Sequence, residues 1–336
     1  MKNDIGIDIG SANTLIYIKS KGIVLNEPSV VAIDKEFKSV LAVGNEAKDM
    51  MGKTPAAILP VCPIKEGVIA EFETAQSMLK NFVRKAFSKK SFVKSRVVVC
   101  VPINVTAVEK QVIRDALLNT GAREVFVVEK PMAAAIGAQM PVSEPIASMI
   151  VDIGCGTTEI AVISLGGIVC GKTVKVAGSN FDVAIEKYIK RAHSLIIGDA
   201  TSEKIKISLG SAFSVNDEET LEISGSDYMT GLPKNVVINA GEIREALKDQ
   251  LMIIVEAIKD VLEDTPPELC ADIIERGITL TGGGALLKGI ELLIKKEVGM
   301  NVFVADMPLE CTALGTGIIL DDLDLLKKDN LFIVTK

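Results

Sequence analysis

Tryptophan is absent from the 336-residue chain and histidine occurs once. The six cysteines, Cys62, Cys100, Cys155, Cys170, Cys270 and Cys311, are scattered, with no Cys-x-x-Cys pair and no Cys/His cluster. That spacing excludes the common zinc-binding patterns and leaves reduced, apolar-packed thiols as the expected state. No apolar run reaches the roughly 18 residues that a bilayer-spanning helix needs. Met1-Lys2-Asn3-Asp4 leads into a strand-like segment without the apolar stretch of a signal peptide, so a cytoplasmic protein is expected. A net charge of −7 argues against a nucleic-acid partner held by a broad basic field. The single histidine, His193 in Arg191-Ala192-His193-Ser194, falls at an expected helix end and reads as a surface or capping residue.

What the chain has is apolar side chain. Hydrophobic residues make up 48% of a length too great for one ordinary core and suited to two lobes. Ile5 to Ile18 reads as strand, glycine turn and returning strand. Val97 to Val101 is a continuous apolar run ending at Pro102, as in a strand buried on both faces. Thr106-x-x-Glu109 predicts a capping box opening a helix through Leu118, stopped by Gly121. A strand at Glu124 to Val128 and a small-residue helix from Pro131 to Ala138 follow. This alternation predicts an α/β fold with a mostly parallel sheet.

Ile7-Asp8-Ile9-Gly10-Ser11-Ala12-Asn13-Thr14 recurs as Val151-Asp152-Ile153-Gly154-Cys155-Gly156-Thr157-Thr158. Asp, Gly and the final Thr keep their spacing, and the copies lie about one domain apart. The repeat predicts a duplicated lobe with two facing hairpins. A third glycine turn, Leu280-Thr281-Gly282-Gly283-Gly284-Ala285, follows the apolar run Ile278-Thr279-Leu280 and precedes a helix expected near Leu286. It is neither a P-loop nor a dinucleotide fingerprint. Glycine-rich turns with hydroxyls offer backbone N–H donors to phosphate. Asp8 and Asp152, at strand ends, are suited to hold Mg²⁺ directly or through water. Two hairpins gripping one phosphate chain from opposite lobes make closure depend on the terminal phosphate, which is the basis of a nucleotide switch.

These hairpins and the Thr-Gly-Gly-Gly turn resemble the superfamily of actin, heat-shock chaperones and sugar kinases. Within it the chain resembles the MreB family of bacterial actins, through Asp8 to Tyr17, Gly22 to Val31, Gly52-Lys53-Thr54-Pro55, Pro131 to Ala138, Thr265-Pro266-Pro267-Glu268-Leu269 and Leu280 to Leu287. The resemblance implies an actin-like fold of duplicated, ribonuclease-H-like lobes, with four subdomains around a nucleotide cleft. The first lobe would span 1–145 with a small subdomain at about 33–70. The second would span 146–311 with one at about 182–242, and 312–336 would return to the first. It implies ATP with Mg²⁺, contacted through phosphates by Ser11, Ala12, Asn13 and Thr14 and by Gly154, Cys155, Gly156 and Thr157. Asp8 and Asp152 would hold the metal through water. Glu203 would hold the ribose and Lys206 would lie along the purine, both on one helix face; without the resemblance the pair reads as a solvated salt bridge. Gly283, Gly284 and Ala285 would pass beneath the nucleotide. The chain itself, as homopolymeric filament, is the implied partner.

Three positions depart from the family pattern. Where a glutamate precedes Pro-Met-Ala-Ala and activates the attacking water, Glu129-Lys130-Pro131 places Lys130. Gly154-Cys155-Gly156 replaces three glycines, and Ala177-Gly178-Ser179 replaces Ala-Gly-Asp. Slow ATP hydrolysis is expected, with Thr157 still orienting water. Glu129 is the alternative base, but neighbours in extended chain point to opposite faces. A small-molecule kinase is the rival function; it requires a carboxylate base where Lys130 stands.

From Thr74 to Val108 there is no acidic residue, while Lys80, Arg84, Lys85, Lys89, Lys90, Lys94 and Arg96 cluster there. Phe72, Ala75, Leu79, Phe82 and Ala86 keep helical spacing and are expected in the core. Phe87 and Phe92 flank Ser88-Lys89-Lys90-Ser91. Two readings stay open: a solvated basic face, or a loop that dips Phe87 and Phe92 into an anionic membrane surface while lysines such as Lys89 and Lys90 add about 1 kcal/mol each. The resemblance favours the second, at the inner face of the cell membrane.

Overall fold

The computed structural model describes residues 4–19, 21–87, 95–214 and 218–329. The first half runs β1 (Ile5–Ile9), β2 (Asn13–Ile18), β3 (Gly22–Pro28), β4 (Val31–Asp34), β5 (Val40–Val43), α1 (Asn45–Met50), β6 (Ile58–Val61), β7 (Ile64–Lys65), β8 (Val68–Ile69), α2 (Phe72–Ala86), β9 (Arg96–Val101), α3 (Ala107–Leu118), β10 (Glu124–Glu129) and α4 (Lys130–Gly137). The second runs β11 (Ser148–Ile153), β12 (Thr158–Ser164), β13 (Gly167–Val174), α5 (Gly178–His193), β14 (Leu195–Ile196), α6 (Asp199–Leu209), β15 (Thr220–Asp227), β16 (Pro233–Asn239), α7 (Ala240–Glu263), α8 (Pro267–Arg276), β17 (Ile278–Thr281), α9 (Ile290–Val298), β18 (Val302–Val304) and α10 (Cys311–Asp329).

The repeat is a duplication of topology. One five-stranded sheet has the order β10-β9-β1-β2-β3 and the other, read from the matching end, β18-β17-β11-β12-β13. In each, the strand carrying the aspartate pairs parallel with one neighbour and antiparallel with the returning hairpin strand. The expected mostly parallel sheet therefore describes only half of each: the glycine turns are too short for a crossover, so they reverse the chain. Smaller sheets, β5-β4-β6 and β14-β15-β16, sit apart from these two.

The apolar runs are continuous because the central strands are buried on both faces. Val97, Val99, Val101, Val125 and Val127 face a first-lobe core with Leu79, Phe82 and Leu117. Their alternates, Val98, Cys100, Phe126 and Val128, face a third core. Strands β11 and β12 split in the same way, Met149, Val151, Ile160 and Val162 facing the second-lobe core. Ile150, Ala161 and Ile163 join the third core, with Ala133, Ala134 and Ala135 of α4 and Ile319, Leu320 and Leu323 of α10. Helices α4 and α10 thus form a seam built from both halves of the chain.

The capping box holds: Thr106 Oγ1 accepts from the Glu109 amide at 3.2 Å, and the Thr106 amide donates to Glu109 Oε2 at 2.8 Å. The helix expected near Leu286 begins only at Ile290, after a 3₁₀ turn over Gly283–Leu286. Helix α2 buries Ala75, Leu79 and Phe82 as expected, with Met78 and Val83 beside them, while Phe72 stays exposed.

Phe87 corrects the membrane-loop expectation. It caps α2 and is only 4% exposed, packed into the first-lobe core. It follows the buried Val83 by four residues, its amide donating to the Val83 carbonyl as the chain leaves the helix extended, so it is a core residue and not a lipid anchor. Phe92, Lys89 and Lys90 lie outside the described residues. Phe87→Ser is accordingly expected to destabilise the fold by about 3 kcal/mol or more, as removal of a buried phenylalanine does. Chemical unfolding checks this; a loss of vesicle binding with unchanged unfolding would count against it.

Candidate functional site

The two repeated turns are superimposable in their hydrogen bonding. The Gly10 amide donates to Asn13 O at 3.0 Å and the Gly154 amide to Thr157 O at 2.9 Å. They meet across a cleft: a Cβ on Gly156 would lie 2.7 Å from Ser11 Oγ and 3.0 Å from the Glu66 amide nitrogen. A side chain there would force the hairpins apart. A third turn completes this floor. Glu66 and Gly67, both at positive φ, join β7 to β8, the geometry of a tight two-residue hairpin. The Gly67 amide donates to Ser11 Oγ at 3.2 Å, and Lys175 of the second half reaches Glu66 at 2.6 Å. This turn escaped the sequence reading; its signal was Gly67 directly before the apolar pair Val68-Ile69.

Between the hairpins lies a cavity of about 540 Å³, lined on one side by Ser11, Ala12 and Asn13 and on the other by Gly154, Cys155, Gly156 and Thr157. Glu203 and Lys206 line it from α6, and Gly283 and Gly284 from the third glycine turn. The amide of Gly178, at the start of α5, is tied to Gly154 O at 3.1 Å, so the amino end of that helix faces the second hairpin, a placement that favours anions.

Two expected contacts fall elsewhere. Thr14 does not line the cleft; its fully buried hydroxyl sits 2.9 Å from Ser29 Oγ, which in turn donates to Gly10 O at 2.6 Å. Asn13 and Leu15 take the cleft face, so strand pleating sends Thr14 the other way. The matching Thr158 is likewise buried and donates to Val176 O at 2.7 Å. The repeated threonines brace the turns from behind. Ala285 is the second correction: it is buried in the second-lobe core, while Gly282, Gly283 and Gly284 line the cleft. The 3₁₀ turn rotates its methyl inward.

Lys206 Nζ donates to Gly178 O at 3.1 Å and to Asp182 Oδ2 at 2.8 Å, which fixes the side chain along the cleft wall. Asp182 was not singled out by sequence, being one helix residue among many. Burial raises its carboxyl above the usual range, against the pull of Lys206. Across the mouth, Glu203 Oε2 meets Lys48 Nζ of α1 at 3.1 Å, with both side chains about half exposed.

At the base, Lys130 is the first residue of α4, and Pro131 follows inside the first turn. Side chains tilt toward a helix's amino end, which carries Lys130 back into the cleft; Glu129 does not line it. Lys130 Nζ lies 3.4 Å from Asp152 Oδ2 and 4.0 Å from Asp8 Oδ1. Burial alone would lower its pKa, but Asp8 and then Asp152 outweigh that and hold it above the ordinary lysine value. Cys100 donates to Asp8 Oδ1 at 3.2 Å, and Thr281 to Asp152 Oδ1 at 3.2 Å. Burial also pushes the Cys100 thiol well up, keeping it a donor. Behind Lys130, Glu159 is fully buried; its Oε2 accepts from the Ile103 amide at 3.2 Å and from Thr173 at 2.6 Å. Asp8 and Asp152 do converge, but an ammonium stands beside both where a Mg²⁺ held through water was expected. Among the described residues no group of three or more His, Cys, Asp or Glu is arranged to hold a metal, and the misfit to Mg²⁺ at the aspartate pair lies in the ammonium already beside both carboxylates.

Duplicated lobes of this topology, closing on a cleft through paired glycine hairpins, define an actin-like fold. The MreB/Mbl protein family model matches residues 2–328, and the chain belongs to that family. It is 52% identical over 325 residues to the cell shape-determining protein Mbl of Bacillus cereus, covering 97% of this chain and 98% of that one. It is 49% identical over 329 residues to the cell shape-determining protein MreB of Escherichia coli K12, covering 96% and 94%. The crystal structure of MreB 5 of Spiroplasma citri bound to AMPPNP superposes with a TM-score of 0.94 at 36% identity, covering 98% of this chain and 99% of that one.

Proposed function

We propose that this chain binds ATP in the cleft, assembles into nucleotide-regulated filaments, and serves cell shape or motility at the inner face of the cell membrane. The observation that carries the reading is the meeting of Ser11 and Gly156, which sets two anion-binding turns from opposite lobes against one ligand. Relatives named for cell-shape determination, and a Spiroplasma citri relative with AMPPNP-bound and ADP-bound structures, support it. In this reading Ser11, Asn13, Gly156 and Thr157 cradle the phosphates, Lys206 flanks the base and Glu203 takes the ribose hydroxyls in exchange for Lys48.

Hydrolysis in this reading is slow, because Lys130 supplies no base; Thr157 is left to orient water. The kinase alternative loses its carboxylate at the same position. Membrane contact rests on basic residues such as Lys80 and Arg84 of α2 and on the segment beyond it, without Phe87. No helix among the described residues is long and apolar enough to cross a membrane.

Sedimentation at tens of micromolar protein tests assembly. A pellet that grows with ATP and is small without nucleotide is the expected result. A protein that stays monomeric with every nucleotide would overturn the filament reading, and ADP release dependent on an added sugar would restore the kinase.

A further inference from the structure

We propose that the Lys130 ammonium is a built-in cation that takes the place of the divalent ion at the Asp8–Asp152 pair, so that this cleft binds ATP without requiring Mg²⁺. The inference rests on the ATP-binding reading above and specifies how that site neutralises phosphate.

Position is the first argument. An Mg²⁺ ion that holds a carboxylate through one of its waters sits about 4 Å from the carboxylate oxygen, given the short metal–water bond and the bent hydrogen bond beyond it. Lys130 Nζ stands 3.4 Å from one carboxylate and 4.0 Å from the other. It occupies the locus of a water-separated ion.

The second argument is that, among the described residues, Lys130 is the cationic side chain that reaches the pair. Asp8 Oδ1 accepts from the Cys100 thiol and Asp152 Oδ1 from the Thr281 hydroxyl, both neutral donors. Asp152 Oδ2 is buried and has no hydrogen-bond partner; the ammonium faces this oxygen. Two carboxylates this deep are not held together uncompensated. Lys130 is rooted to supply the compensation, since the start of α4 fixes its backbone at the end of β10.

The third argument is exclusion. A divalent ion between these aspartates would sit beside a buried ammonium, and like charges at that range repel strongly where water does not screen them. The ammonium also reaches toward the phosphate turn, 3.8 Å from where a Gly154 Cβ would lie. It can therefore face phosphate oxygens above while holding the aspartates below. Lys130→Glu together with one divalent ion leaves the pocket with the same net charge as wild type without one, so the two should differ in a single respect, their need for metal.

The experiment is ATP binding by calorimetry in excess EDTA and in excess Mg²⁺, with wild type and Lys130→Glu. For wild type, the affinity in EDTA should stay within about threefold of that in Mg²⁺, whereas Lys130→Glu should weaken by roughly thirtyfold or more on chelation. Mn²⁺ supplied with ATP should give an immobilised electron paramagnetic resonance signal on the variant and none at this pair on wild type. A wild type that loses more than about tenfold in EDTA would overturn the inference. Failure to bind ATP under either condition would overturn the ATP-binding reading itself. Should Lys130→Glu not fold, Lys130→Met serves for the resonance arm, and the wild-type comparison decides alone.

Discussion

Phosphate release from ATP should be roughly 10²–10⁴-fold faster for Lys130→Glu than for wild type at equal Mg²⁺ and protein concentrations, the range a positioned general base contributes. A water attacking a terminal phosphate must lose a proton, and the side chain at the base of the cleft decides where it goes. Lys130 cannot take it. Although burial works against its charge, Asp8 and Asp152 hold its pKa above the ordinary lysine value of 10.5. It is therefore a cation throughout the range in which the protein functions, and its ion-pair stabilisation is fully present below that value and lost only as pH rises through the higher folded one. Wild-type hydrolysis should accordingly show no rise between about pH 6 and 9 attributable to this residue. Glutamate at 130 would lie beside Asp8 and Asp152, whose charges raise its pKa and improve it as a base. The decisive comparison is single-turnover phosphate release, which separates chemistry from nucleotide exchange. A wild type as fast as the variant would mean that another group accepts the proton, and Glu159, buried behind Lys130, would be the first to examine.

The second large effect is structural. Placing valine at Gly137 or Gly315 should cost about 3 kcal/mol or more, beyond the usual range for an added methylene, and should abolish ATP-dependent pelleting. Helices α4 and α10 cross where these glycines face each other: a Cβ on Gly137 would lie 2.6 Å from the Cys311 carbonyl carbon, and one on Gly315 the same distance from that of Ala133. Both obstacles are backbone, so no rotamer change relieves them, and the helices must separate. Separation opens the core that holds Phe126, Ile150 and Leu320. Thermal unfolding monitored by circular dichroism checks the cost; variants that melt with the wild type would show that the crossing tolerates a wider spacing. Alanine at either site should be intermediate, since its single carbon meets the same backbone without a branch.

The duplicated lobe was legible because one octapeptide carries the strand end, turn and return strand in both copies, and each copy forms the same hairpin in its sheet. The site was legible where chemistry forces residue type, as with Gly156, Asp8 and Asp152. It was less so where direction matters. Pleat parity separates Asn13 from Thr14, and a one-residue difference in turn winding separates Gly284 from Ala285, neither of which a motif encodes. Phe87 shows the same weakness: the chain turns extended at the end of α2 and tucks this side chain into the core, and exposure cannot be inferred from a basic neighbourhood. Lys48, Glu66 and Asp182 enter through tertiary approach alone. What the sequence marked plainly was the identity of residue 130; what it could not convey was that the lysine would lie between the two aspartates.

Because strands of both halves press their alternate residues into one dry core with α4 and α10, the molecule has its pivot at one end and its jaws at the other. The arms are sheets, so any rotation about that seam would grow with distance from it and be greatest at the Glu203–Lys48 contact across the mouth. The phosphate turns lie beside the start of α4, where Lys130 enters the cleft, so a ligand there would bear on both arms close to the seam that joins them.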